Sequence, residues 1–454
     1  MAGISYTLKR LTEKDNIHSV IESFAYAVFV SSGPWLCSIV SVGAVLIVGP
    51  FFAPLSIIRV FQAVIVYNFS FAFLVSGIFS IVICREISDR IYENKFEHIT
   101  GIFFGSLILL YAISIPVSCY LYFYIASFPL DISLAAIINF LLLVTVWHSS
   151  NFLTVLKEYR TISTAFVLGM AIAIIFSFHF AASGSSSGWI INGFNIGFVV
   201  ILGIIYGTIL SEYPKKIVKP LSFLKGFVKY WEFALGGVIF NASIWVDKWV
   251  MWSAPNQIQC SSGLVCDQNY SNPMFLAYLT IIPSLAYFFF SIEAEFEKVI
   301  LPYYSGINNK ATLNQIETLK KKVITILFKN IVGFIVIQGT FTVIALMLAP
   351  MILSSLDVPM QQLFIFRYGV LGAFFQFFFI MFINVLFYID ARKSILYVFT
   401  IFFFLNFLLT YFTVILGYQY YGIGFFVASV VTFIIVAFIT FRKMKRLEYH
   451  SFIN

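Results

Sequence analysis

The chain has 454 residues, 61% hydrophobic and 11% charged, with a formal net charge of +8. That balance excludes a soluble globular enzyme, and a basic excess set beside long apolar stretches points to membrane lipid rather than nucleic acid as the partner. No Walker A loop, phosphate-cradling glycine run, Ser/His/Asp arrangement or metal-ligand spacing can be read, so neither catalysis nor a metal or cofactor is expected.

Residues 1–16 are polar and lack the apolar core of a signal peptide. Ile4, Leu8 and Leu11 fall at i, i+4 and i+7, which predicts an interfacial helix on the inner membrane surface. The first apolar stretch is then expected to act as an uncleaved insertion signal. Twelve such stretches follow, near 20–50, 57–84, 99–126, 132–156, 161–182, 189–210, 229–254, 273–294, 323–353, 361–389, 394–416 and 420–441. Each is long enough for a hydrocarbon core of ~30 Å, which needs ~20 residues. The connections at 51–56, 127–131, 183–188, 255–272, 354–360 and 417–419 hold no Lys or Arg. Of 28 basic residues, only Arg59, Lys248 and Arg367 depart from the opposite side. Cytoplasmic loops retain Lys and Arg, so this alternation predicts an all-α polytopic membrane protein of twelve transmembrane helices with both termini cytoplasmic.

Span 1 opens with Glu22 and carries Ser31-Ser32-Gly33-Pro34 before Trp35. Pro34 removes a backbone hydrogen bond and predicts a kink or break at Gly33-Pro34, tolerated at that depth only where it is buried or lines a cavity. Arg59 sits just inside span 2. Span 4 carries a polar band, Trp147-His148-Ser149-Ser150-Asn151, ~24 Å along the helix. His148 is either a hydrogen-bonded core histidine or a group that titrates near neutrality. The Lys- and Pro-rich stretch 212–228 then divides the chain into an N-terminal lobe (1–211) and a C-terminal lobe (229–454).

A weak repeat supports that division. ESFAYAVFVSSGPW (22–35) opens span 1 and EFALGGVIFNASIW (232–245) opens span 7, each with a Glu at the start and a Trp at the end. Glu22 and Glu232 either complement the positive helix N-terminus or serve gating. Asn241 and Trp245, an i, i+4 pair, share a face suited to acetamido and hydroxyl groups and to stacking on a sugar ring. Asp247 and Lys248 lie ~27 Å along span 7, and Arg367 ~9 Å into span 10 from outside. Arg59, Lys248 and Arg367 either snorkel to the outer headgroups or line a polar external vestibule. Asp247 and Lys248 point ~100° apart, so at least one is expected to face the bundle interior. Cys260 and Cys266 share an external loop and form either a disulfide or two free thiols. Glu293, Glu295 and Glu297 read as a solvated face where span 8 leaves the membrane. Two halves of six helices with one orientation suit a parallel repeat, of major-facilitator or MATE type, with the substrate path between the halves.

The motifs MAGI (1–4), SSGPW (31–35), SDRIYE (88–93), FLTVLKEYRT (152–161), WVDKWVMW (245–252), IEAEFE (292–297) and YIDARK (388–393) resemble the PelG exporters of Pel exopolysaccharide systems along the full chain. The resemblance implies a MATE-like fold of the MOP flippase superfamily, with two six-helix lobes, in a bacterial inner membrane. It implies transport of a hexosamine-rich polysaccharide or its precursor for a biofilm matrix. It also implies two partners, a cytoplasmic UDP-sugar glycosyltransferase and a cyclic-di-GMP-sensing membrane protein. A cation/drug antiporter on the same fold and a non-transporting scaffold of a polysaccharide synthase are the alternatives. Reporter fusions test the topology: fusions at Lys322 and Arg446 should report the cytoplasm, and an external signal from either overturns the orientation.

Overall fold

The computed structural model describes residues 17–448 except 215, 256, 262 and 357. The side chains at 17–25, 258–261, 266, 289, 290 and 292–294, and the interfacial helix expected over 1–16, lie outside the described residues. The first six helices follow spans 1–6: α1 (Ile17–Val48), α2 (Leu55–Tyr92), α3 (Ile99–Cys119, continued by a π turn over Tyr120–Ile125), α4 (Leu130–Val155), α5 (Tyr159–Ala182) and α6 (Ser187–Glu212). A short α7 (Leu224–Lys229) leads to α8 (Trp231–Met251), and then to a hairpin of β1 (Ile258–Ser261) and β2 (Leu264–Cys266). The remainder is α9 (Gln268–Leu279), α10 (Ile282–Phe290), α11 (Glu297–Asn308), α12 (Leu313–Ser355), α13 (Leu363–Tyr388), α14 (Arg392–Leu416) and α15 (Ile423–Lys445).

Among the described residues, 10 helices are long and apolar enough to cross a membrane. The expected twelve are reached only by adding spans 7 and 8. Span 7 is α8, a helix with Glu232 in its first turn and Lys248 in its last. Span 8, expected as one helix over 273–294, is instead broken into α9, α10 and α11. Pro283, at the start of α10, has no N–H to continue the preceding helix, and a π turn over Ser291–Phe296 separates α10 from α11. Span 9 is longer than expected. A capping box of Thr312 and Gln315 starts α12 ahead of the apolar run, giving 43 residues, ~65 Å of helix, about twice the hydrocarbon thickness. Its polar first half is tied down by Lys320 to Glu448 (2.6 Å) and by Lys329 to Glu295 (3.0 Å).

Five helices end alike. Asn94, Lys157, Gly184, Lys310 and Asp390 take positive φ just beyond α2, α4, α5, α11 and α13. In each case the next residue donates its N–H to the carbonyl five positions back: Lys95 to Arg90, Glu158 to Leu153, Ser185 to Phe180, Ala311 to Gly306 and Ala391 to Leu386. This Schellman closure satisfies a terminal carbonyl and turns the chain sharply. Four of the five turns follow spans 2, 4, 8 and 10, which are equivalent positions in two halves of six, and the fifth follows span 5.

The chain forms two compact units. The C-terminal unit holds Met1–Ser32, Val246–Ala254 and Gln268–Asn454, and the N-terminal unit holds Gly33–Trp245 and Pro255–Asp267. Relative to lobes bounded at 211 and 229, two helices are shared. α1 divides at Ser32/Gly33 and α8 at Trp245/Val246. These are the two helices of the sequence repeat, cut at nearly equivalent places.

Within the N-terminal unit, α2 and α8 cross where Gly77 meets Gly237; a Cβ on Gly77 would lie 2.8 Å from the Gly237 carbonyl oxygen. Asn241 closes the crossing by donating to the Phe73 carbonyl (2.6 Å). A spine of neutral amides holds α2, α4 and α6 together. Tyr122 donates to Asn68 (2.5 Å), Asn68 to Asn139 (2.8 Å), Asn139 to Asn195 (2.9 Å) and Asn195 to Asn192 (3.0 Å). Asn68 and Asn195 also donate to the Ala136 and Ala135 carbonyls. The hairpin belongs to the same unit, where Tyr67 hydroxyl brackets Val265 as donor to its carbonyl (3.0 Å) and acceptor from its N–H (3.2 Å).

The stretch expected as a linker, 212–228, is not a free tether. Tyr213 donates to the Phe152 carbonyl (3.1 Å) and Thr100 to the Pro214 carbonyl (2.5 Å). The Val218 and Pro220 carbonyls sit where Cβ atoms of Gly101 and Gly105 would be. The sequence Gly101-Ile-Phe-Phe-Gly105 is a GxxxG pattern, whose small residues permit close backbone approach. Here the approaching backbone is the linker rather than another helix. Further on, Phe223 is buried, Gly226 packs on Glu86, and Tyr230 donates to Asp89 (2.6 Å). Residues 212–230 form a strap bound along α3 and the end of α2.

Two measurements check this packing. Gly105→Leu should dislodge the strap, costing about 1–3 kcal/mol and speeding tryptic cleavage at Lys216 or Lys225, whereas Gly203→Leu, with nothing within 4 Å of the added Cβ, should do neither. Asn139→Leu should lower the melting temperature in detergent, since each orphaned buried amide costs roughly 1–3 kcal/mol.

Candidate functional site

Paired charge at the end of α8 is the most demanding feature of the C-terminal unit. Asp247 is fully buried, and the Lys248 side chain is 13% exposed. Successive helical residues diverge by ~100°, so the lysine must curl back to reach its neighbour. It does so bidentately, with Nζ 3.0 Å from both Asp247 carboxylate oxygens. Tyr270, buried on α9, donates to Asp247 Oδ2 (2.9 Å). The Lys248 ammonium lies 4.9 Å from the Tyr278 ring centroid and 6.0 Å from that of Phe425, within cation–π range. Burying two charges costs several kcal/mol per ion unless geometry and extra hydrogen bonds compensate. The two tyrosines and the phenylalanine provide that compensation. Neither charge reaches outward as a snorkelling side chain would.

The N-terminal unit uses its expected polar residues differently. His148 is buried, with its Nε2 2.8 Å from Ser106 Oγ and the rings of Phe79 and Phe152 edge-on at 5.8 and 5.6 Å. Trp147 packs on Phe73 at 4.6 Å and on Phe166 at 5.8 Å. Asn241 directs its amide N–H to α2, so this donor serves helix packing. Trp245 is half-buried and is the last α8 residue of this unit.

The remaining expected residues are not gathered at one place. Arg59 is exposed in the second turn of α2, Arg367 is half-buried on α13, and Trp35 is half-buried on α1. Glu232 is buried in the first turn of α8, where a carboxylate complements the helix dipole. The side chains of Glu22, Glu293, Cys260 and Cys266 lie outside the described residues; the backbone register pairs Cys266 with Ile258 and leaves Cys260 in the irregular step between Gln259 and Ser261. Glu295 pairs with Lys329 instead of standing as a solvated face. α1 runs unbroken through Pro34. Ser38 donates to the Pro34 carbonyl (2.9 Å), and the boundary between the units falls at Ser32/Gly33.

Sequence reasoning ranked intramembrane groups by charge and so passed over Tyr270, Tyr278 and the asparagine spine. The signal for the spine was present: four Asn residues (68, 139, 192, 195) interrupt otherwise apolar spans. At the expected cytoplasmic end of α2, the SDRIYE motif also acquires a role. Arg85 (3.5 Å) and Lys229 (3.8 Å) pair with Asp89, and Arg90 bridges Glu86 and Glu93 at 3.3 Å each. The Tyr230 hydroxyl, with Asp89 nearby, holds the Lys229 ammonium above the ordinary lysine range. Among the described residues no group of three His, Cys, Asp or Glu side chains is placed to hold a metal ion.

Solved structures share the fold at low sequence identity. A multidrug resistance MATE family transporter of the MOP superfamily, in an outward-facing conformation, superposes with TM-score 0.65 at 14% identity, covering 97% of this chain and 98% of its own. A MATE protein in the straight conformation gives TM-score 0.64 at 13% identity, covering 95% and 97%. A MOP superfamily transporter from Pyrococcus furiosus, described as having a binding pocket of reversed polarity, gives 0.63 at 14% identity, covering 95% and 96%. No curated protein matches the sequence. The PelG exopolysaccharide exporter (EPS-E) family model matches residues 1–452. On a MATE-type transporter fold, this chain belongs to the PelG exopolysaccharide exporter family.

Proposed function

We propose that the protein moves a hexosamine-rich exopolysaccharide, or its precursor, across the bacterial cytoplasmic membrane for a biofilm matrix, supplying no chemical step itself. The observation that carries this reading is the family match over residues 1–452, joined to a transporter fold. The partners on this reading are a cytoplasmic UDP-sugar glycosyltransferase and a cyclic-di-GMP-sensing membrane protein, with both termini cytoplasmic. Two features support a mechanism of alternating access. The helices of the sequence repeat, α1 and α8, each contribute to both compact units. α1 passes between units beside Gly33-Pro34, where a missing backbone hydrogen bond lowers the resistance to bending. The closed Asp247–Lys248 pair is the polar element of the path on this reading. Opened, it offers a carboxylate to hydroxyl and acetamido groups and an ammonium to anionic ones.

One observation favours the antiporter alternative, since the buried Asp247 carboxylate is the kind of group that couples a cation gradient. Its own lysine neutralises it, which suits a bulky neutral cargo better than a cation. Chromosomal deletion separates the readings. Loss of secreted polymer with unchanged dye sensitivity supports export, and normal polymer with raised dye sensitivity supports the antiporter.

Variants then test the path. Asp247→Asn should leave Lys248 as an uncompensated buried charge, costing about 3–5 kcal/mol. The double variant Asp247→Asn/Lys248→Met should recover most of that stability while still cutting secreted polymer at least tenfold at equal membrane abundance. Normal export by the double variant reduces the pair to a packing element. Pro34→Ala should slow export without affecting insertion, and wild-type export would remove the hinge.

A further inference from the structure

The strap has a second apolar face. Its inward row, Tyr213, Phe223, Gly226 and Tyr230, is buried against α2, α3 and α4 as described above. Its outward row consists of Ile217, Leu221, Leu224, Val228 and Trp231, each more than a third exposed and Val228 81% exposed. Leu224, Val228 and Trp231 follow the helical spacing of α7 and the start of α8, and Ile217 and Leu221 stand exposed in the irregular part of the strap. Lys216, Lys219, Lys225 and Lys229 are interleaved with this row and exposed, and Glu212 is the only acidic residue in the segment.

Depth identifies what covers this row. The strap is seated on Gly101 and Gly105, which lie ~3 and ~9 Å along α3 from its first residue, Ile99. They lie in the first two turns of a membrane-spanning helix, the level at which interfacial amphipathic segments rest. The strap is also continuous at both ends with membrane helices, α6 and α8, and Trp231 stands where the aromatic belt is expected. A soluble partner would have to cover an apolar row that already lies at membrane level. Lysines flanking such a row select anionic headgroups, each contributing ~1 kcal/mol near a charged surface.

We propose that residues 212–231 are an interfacial strap that inserts Leu221, Leu224, Val228 and Trp231 into the inner leaflet and binds anionic phospholipid through Lys216, Lys219 and Lys225. The site is a lipid-binding surface built on the Gly101/Gly105 seat, separate from the Asp247–Lys248 pair.

The test uses the full-length protein reconstituted in bilayers of phosphatidylcholine with and without phosphatidylglycerol, carrying a spin label at Val228→Cys. Collision with oxygen against a water-soluble nickel complex reads the depth of the label. The expected result is a label below the phosphate level, shielded from nickel, with a matching result for a label at Leu221→Cys. In mixed bilayers, phosphatidylglycerol should be enriched severalfold in the lipid retained by the protein, and Lys216→Gln/Lys219→Gln/Lys225→Gln should abolish that enrichment without lowering the melting temperature. Labels freely accessible to nickel in both bilayers overturn insertion. Burial of the labels with enrichment unchanged in the triple variant overturns the lysine-based recognition. Labels that become shielded only when an acidic soluble protein is added point to a protein surface instead and overturn the proposal.

Discussion

A hydrocarbon interior offers the backbone no water, so every peptide group at that depth needs a partner within the protein. This constraint shapes the chain more than any side-chain interaction. It forces the apolar stretches into helices whose donors and acceptors are satisfied locally. Departures are accepted only where another group intervenes. Pro34 is carried inside an unbroken α1. The run from α9 to α11, broken at Pro283, continues through a π turn that keeps i to i+5 bonding. The strap, which has little regular structure of its own, borrows a donor for the Pro214 carbonyl from Thr100 and lays its backbone on the glycine seat of α3.

Polar groups inside the helices follow the same economy. The neutral amides of the N-terminal unit satisfy one another in a connected series and leave no net charge to solvate. The C-terminal unit tolerates two full charges only because they are adjacent, bidentate and enclosed by Tyr270, Tyr278 and Phe425. The two units thus hold their helices together by different chemistry: hydrogen-bonded amides in one, and an enclosed ion pair in the other. An ion pair can be opened by a competing ligand of either charge, whereas an amide spine has no comparable handle. That asymmetry is why the proposed path is drawn past Asp247, while Asn68 and Asn139 join helices.

Motifs that tie the chain to its family also acquire structural meaning. FLTVLKEYRT and YIDARK are Schellman turns, in which Lys157 and Asp390 hold the left-handed position. SDRIYE supplies the acidic and basic residues that clamp the strap's end through Asp89 and Tyr230. IEAEFE is the π turn between α10 and α11. Much of what makes the sequence recognisable serves helix ends and junctions, and WVDKWVMW, the fifth motif, places a buried charge pair.

Apolar length and the one-sided distribution of Lys and Arg determined the membrane class, most of the spans and the expected orientation, because hydrocarbon thickness and the retention of basic loops act on local sequence. The same locality hid the breaks in span 8 and the early start of α12, where a proline beside a helix end and a capping box outweigh mean hydropathy. Only the tertiary structure decided which polar residues meet. Asn241 and Trp245 share a helical face in the sequence, yet the Gly77–Gly237 crossing turns the Asn241 amide to α2. Asp247 and Lys248 diverge by helical geometry, yet the lysine's flexible stem and the tyrosines of α9 bring them together. The GxxxG pattern of α3 announced a close approach without naming its partner. Sequence spacing fixes direction along one helix, and the identity of the facing element depends on residues hundreds of positions away, which no local pattern encodes.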